Sequence, residues 1–184
     1  MITRASQNKG IYFVLMTVAS FLSFFKVILY SKLLSVTEFG IYSLVLSSYI
    51  FFVFFGGMGL QEGLLKQGSK NYARRDMKSI KADFLSAIVF SIPIAGSVGI
   101  LLTIVASIVF SNNYEILDVF ELGIVMALAT ISFNLLDSFL RAQQKFLLFA
   151  VVLAVKNSLV ITLGYLWAVD YGAEGVVLSE ILSL

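Results

Sequence analysis

Apolar runs long enough to cross a bilayer recur along nearly the whole chain. A helix needs about 20 predominantly apolar residues to traverse roughly 30 Å of hydrocarbon. The first such run covers 11–34, "IYFVLMTVASFLSFFKVILYSKLL", and others cover 39–65, 84–110, 116–136 and 146–169. A sixth opens at Ala173 and reaches Leu184. Inside hydrocarbon a segment must satisfy its own backbone polar groups, so these runs predict helices. The period-two alternation of a membrane barrel is absent. The expected fold is an all-α polytopic membrane bundle, five full transmembrane helices plus the start of a sixth. The first run is not read as a signal peptide, because it is too long, carries Lys26 and lacks a small-residue cleavage site.

Composition narrows the chemistry. The chain is 59% hydrophobic and only 13% charged, against about 25% charged in soluble domains. It has no Cys and no His. That removes thiol nucleophiles, thiolate or imidazole metal sites and a Ser-His-Asp triad. No nucleotide-binding GxxxxGK[ST] loop or calcium loop is present. No catalytic residue, metal site or cofactor is assigned, and the chain is read as a non-enzyme. A net charge of +2 gives nucleic-acid binding no support.

The charge that exists is unevenly placed. Lys66, Lys70, Arg74, Arg75, Lys78 and Lys81 fall in one short segment. With Arg4, Lys9, Arg141 and Lys145, ten basic residues flank the spans on one side, against Lys32 on the other. The positive-inside rule then puts the N-terminus and the loops after spans two and four in the cytoplasm. The six-residue cluster reads as a topology anchor, each charge contributing about 1 kcal/mol near an anionic leaflet. The functional alternative is that it also gathers an anionic lipid headgroup. Tyr30, Tyr42, Tyr114, Tyr165, Trp167 and Tyr171 are placed at the outer interface, where amphipathic rings collect.

Two lysines lie within spans. Lys156, beside Asn157 and Ser158, is near the middle of span five, and Lys26 is nearer the outer end of span one. A Lys at a helix centre costs about 2.5–3.5 kcal/mol on insertion scales and usually faces a bundle interior or a wet cavity. Lys156 is therefore either a substrate-pathway residue or half of a structural ion pair. Lys26 either does the same or snorkels to the outer interface. Acidic partners are few: Glu180 in span six, which a short loop makes a neighbour of Lys156, and Glu121 just inside span four. Asn134 and Asp137 read as a solvated cap. The substrate-pathway candidates are Lys156, Lys26, Asn157 and Glu180.

Small residues mark close packing. Ala87, Ser91, Ala95, Gly99, Thr103 and Ser107 recur every fourth position of span three, a stripe on which another helix can approach. Pro93 in that span favours a kink. Gly56, Gly57, Gly59 and Gly63 close span two, the last two forming a GxxxG that reads as helix packing or as a flexible joint.

Four stretches together resemble one family. "KLLSVTEFGIYSLVLS" is similar to the first outer loop and second-helix start of polysaccharide-export flippases. "GGMGLQEGLLK" with the basic loop after it resembles the end of their second helix, "FLRAQQKF" their inner loop after helix four, and "YGAEGVVLSEIL" their fifth turn and sixth helix. These are O-antigen and capsule repeat-unit flippases of the multidrug/oligosaccharidyl-lipid/polysaccharide exporter superfamily. The resemblance implies two helical lobes rocking around a central cavity. The cargo would be an undecaprenyl-diphosphate-linked oligosaccharide, carried from the cytoplasmic to the periplasmic leaflet of the bacterial inner membrane. An ion gradient or the membrane potential would drive it. The implied partners are the lipid-linked oligosaccharide, membrane lipids and polysaccharide polymerase machinery. The chain corresponds to the N-terminal lobe, residues 1–184, and its stop within a span reads as a fragment of a longer protein. The alternatives are a drug/cation antiporter of the same superfamily and a non-transport membrane assembly subunit.

Overall fold

A computed structural model describes residues 2–57, 59–109 and 114–184, and these form six helices. They are α1 (Ile2–Leu33), α2 (Val36–Gly57), α3 (Leu60–Ala73), α4 (Met77–Val109), α5 (Tyr114–Ala142) and α6 (Phe146–Ser183). All but α3 are long and apolar enough to cross a membrane. The chain is thus a multi-pass, all-α membrane protein. The loop 110–113 between spans three and four lies outside the described residues, as does the side chain of Tyr114.

Local sequence sets the turns. At "SVTE" the Ser35 amide donates to Glu38 Oε2 at 2.9 Å and the Glu38 amide donates to Ser35 Oγ at 3.3 Å. This reciprocal capping box satisfies two orphan donors at the start of α2. At the start of α4 the Ser79 amide and hydroxyl donate to Asp76 at 3.1 and 2.6 Å. Those two bonds hold the Asp76 carboxyl below its ordinary value near 3.8. A lowered carboxylate value stabilises the fold above the ordinary value, and the stabilisation is lost as pH falls through the depressed one. The protection factor of the Ser79 amide is therefore expected to hold from pH 7 to about 4 and to drop only below that. In Asp76→Ala it should be low at every pH. Hydrogen exchange read by mass spectrometry checks both.

α6 is two arms. A straight helix of this length would be about 57 Å long, nearly twice the hydrocarbon thickness. Gly172 breaks it, with φ 56° and ψ −133°. The Tyr30 hydroxyl donates to the Val160 carbonyl at 2.8 Å, while Tyr30 also packs in one cluster with Val176 and Val177. Sixteen residues of straight helix would separate Val160 from Val176 by about 24 Å. The second arm (173–183) therefore folds back along the first (146–171). Gly175 permits the close approach: a Cβ there would fall on the Trp167 carbonyl oxygen.

The spans alternate in direction, so α3 lies at the end of the bundle where α2 leaves and α4 enters. The α5–α6 turn is at that same end, because Gly68 of α3 packs against Ala142. The core has two parts. One joins α1, α2, α5 and α6 around Tyr30, Tyr42, Val45, Met126, Val160 and Val176. The other joins α3, α4 and α5 around Leu64, Ala87, Ala95, Ile131 and Leu135.

Several expectations change here. The chain from 60 to 73 is not the tail of span two but a separate helix, because Gly59 adopts a left-handed φ of 74°. Gly63 meets no neighbouring atom, so the Gly59–Gly63 pair is no packing motif. The contact glycine is Gly56, where a Cβ would lie 2.7 Å from that of Ala95. The stripe on α4 does pack: Ala87, Ser91, Ala95 and Gly99 are buried, with Gly99 under Ile124 of α5. α4 continues through Pro93 as one helix. Tyr30 and Tyr42 do not face lipid or water: both are fully buried in the bundle.

Candidate functional site

The bundle interior holds a small polar network at the end nearer Gly172. Lys26 Nζ lies 2.6 Å from Glu180 Oε1. The Tyr42 hydroxyl donates to the same oxygen at 2.9 Å. The Tyr30 ring meets that of Tyr42 edge-on, centroids 5.6 Å apart, and its hydroxyl is taken by Val160. Gly164 leaves the space for that hydroxyl, since a Cβ there would overlap it. Three elements meet here: Lys26 and Tyr30 from α1, Tyr42 from α2, and Val160 and Glu180 from the two arms of α6. The Lys26 side chain is thus turned to an acid rather than to the outer interface.

Glu180 does not pair with Lys156. The Lys156 ammonium instead sits 4.3 Å from the centroid of the Phe133 ring on α5. Lys156 is ten residues into α6 and Phe133 nine residues from the end of α5. Both are therefore at similar depth, about 15 Å from the α3 end. Asn157, next in sequence, faces α1, where its amide donates to the Ala19 carbonyl at 2.7 Å and to Ser23 Oγ at 2.9 Å. It braces α6 against α1, and the two neighbours point in different directions.

A second ion pair lies at the α3 end, Arg141 to Asp137 at 2.6 Å, with the guanidinium 5.5 Å from the Phe149 centroid. Asp137 is therefore paired, not a solvated cap. Glu121 is exposed. The six basic residues of the cluster are all exposed, distributed over α3, the turn after it and the first turns of α4.

The electrostatic sum is simple. Lys26 cancels Glu180 and Arg141 cancels Asp137. Among the described residues Lys156 is the one cation deep in a span without an ion-pair partner. A cation–π contact returns about 0.5–2 kcal/mol, against about 2.5–3.5 kcal/mol for placing a Lys at mid-span. Part of the cost stays uncompensated. A half-buried ammonium of this kind attracts an anion and repels a cation.

Sequence reading missed Tyr30 and Tyr42 as network members. Tyr42 is six residues past the first residue of α2, about 9 Å along the axis, deeper than a headgroup-level ring. That depth was the available signal. Comparison with known proteins gives no match to this chain, whether to a family model, a curated protein or a solved structure.

Proposed function

We propose that this protein is a lobe of a flippase that moves an undecaprenyl-diphosphate-linked oligosaccharide across the bacterial inner membrane by alternating access. It is a transporter and not an enzyme, has its N-terminus in the cytoplasm, and serves O-antigen or capsule assembly. The observation that carries the reading is Lys156, an unneutralised ammonium at mid-membrane depth on a helix that borders several others. A diphosphate is the group on such a lipid that an isolated ammonium would hold. The sequence resemblance supplies the cargo class.

Two features weigh against the alternatives. A cation-coupled antiporter wants a free interior carboxylate, and Glu180 is occupied by Lys26 and Tyr42. An assembly subunit wants an unused small-residue face, and the α4 stripe is already consumed by α2 and α5.

Lys156→Ala in cells is expected to lower surface polysaccharide about tenfold or more, the loss for removing a charge-assisted contact of about 1.5–3 kcal/mol. Membrane insertion should stay normal, and Lys156→Arg should keep most of the product. Wild-type polysaccharide in Lys156→Ala would refute the assignment.

A further inference from the structure

The basic cluster is a built surface rather than a loose loop. On α3 the inward face is Leu64, Gly68 and Asn71, all buried. Lys66, Lys70 and Arg74 follow one another at four-residue spacing on the exposed side, a single stripe along the helix. The chain then reverses in a backbone-locked turn. The Arg75 amide donates to the Tyr72 carbonyl at 2.9 Å and the Asp76 amide to the Asn71 carbonyl at 3.0 Å. Arg75 takes the left-handed conformation this turn requires, with φ 61°. Lys78 and Lys81 continue on the first turns of α4.

Acids are outnumbered on this face: between residues 60 and 83 the six cations face three carboxylates, exposed Glu62, Asp76 held by Ser79, and Asp83 held by the Asn71 amide at 2.8 Å. Among the described residues none of the six cations forms an ion pair, since the two pairs present involve Lys26 and Arg141. α3 also lies between the end of one apolar span and the start of the next, the place on such a chain where headgroups would meet it. Topology anchoring needs only the charges. It does not need a separate amphipathic helix with an ordered basic stripe and a fixed turn.

We infer that α3 lies in the headgroup layer and that its basic face, with the turn to α4, binds anionic phospholipid headgroups. The ligand is the lipid phosphate, several headgroups at once, drawn from the leaflet that meets this end of the bundle. The site is independent of Lys156 and of the transport reading.

The chain has no cysteine, so Ser69→Cys on the exposed side of α3 offers a single labelling point. The full chain, labelled there with a fluorophore, would be placed in nanodiscs with brominated phosphatidylglycerol or brominated phosphatidylcholine at equal mole fraction. Quenching by the anionic lipid is expected to exceed that by the zwitterionic lipid about threefold, as attraction by several clustered charges implies. In K66Q/K70Q/R74Q, which leaves Arg75, Lys78 and Lys81 in place, the ratio should fall clearly below the wild-type value, while K145Q, at the same end but off the stripe, should keep it. Raising salt from 0.1 to 1 M shortens the screening length from about 10 to about 3 Å, so the wild-type ratio should fall even if the triple variant inserts poorly. A wild-type ratio near one, or a ratio indifferent to salt or to the triple substitution, would overturn the assignment.

Discussion

Glu180→Ala is expected to destabilise the fold by about 3–5 kcal/mol, because it strands the Lys26 ammonium without its counter-charge. The Glu180 side chain is 6% exposed and that of Lys26 20%, so water compensates little. The Tyr42 hydroxyl loses its acceptor in the same stroke, a further cost of about 1–3 kcal/mol if nothing replaces it. Replacing the whole network behaves differently. Lys26→Met, Tyr42→Phe and Glu180→Leu together should return most of the stability, since a buried pair contributes little over well-packed apolar groups. Reversible unfolding in mixed micelles reads both. A loss under about 1 kcal/mol in Glu180→Ala would mean that the pair is solvated.

The hairpin glycines carry the second large effect. Gly172→Ala puts a side chain into a backbone region that only glycine adopts with ease, a cost of about 1–3 kcal/mol. Its Cβ would also meet the Glu38 carboxylate. Gly175→Ala drives a Cβ onto a backbone carbonyl, which cannot rotate away, and overpacking of this kind costs about 1–3 kcal/mol. Both together should open the hairpin and pull Glu180 away from Lys26. Gly63→Ala serves as the control: nothing lies near it, so gaining helix propensity should stabilise α3 by about 0.5–1 kcal/mol. Equal effects from Gly63→Ala and Gly175→Ala would contradict the folded-back geometry.

The helical membrane fold was legible because hydrocarbon leaves a chain few options, and length with hydropathy reads out directly. The α4 stripe at Ala87, Ser91, Ala95 and Gly99 was legible for a related reason: small residues at helical spacing are how backbones come close. The partner of Glu180 was not reached, although depth counting points to it. Glu180 is eight residues past the turn at Gly172, about 12 Å deep, whereas Lys156 is sixteen residues before it, about 24 Å. Lys26 is seven residues before the end of α1, a matching depth from the same side. Proximity in sequence favoured Lys156, and register favours Lys26. The break before α3 was hidden for another reason. A run of glycines next to apolar residues is equally compatible with a packed helix and with a left-handed turn. The left-handed φ of Gly59 decides for the turn.

The transport reading is tested most directly in proteoliposomes. The protein isolated from its native membrane would be reconstituted with a fluorescent undecaprenyl-diphosphate-linked oligosaccharide, and a membrane-impermeant quencher would report how fast the label leaves the outer leaflet. The expected result is crossing well above protein-free vesicles, abolished by Lys156→Gln and kept by Lys156→Arg. Crossing no faster than in protein-free vesicles, or unaltered in Lys156→Gln, would contradict it.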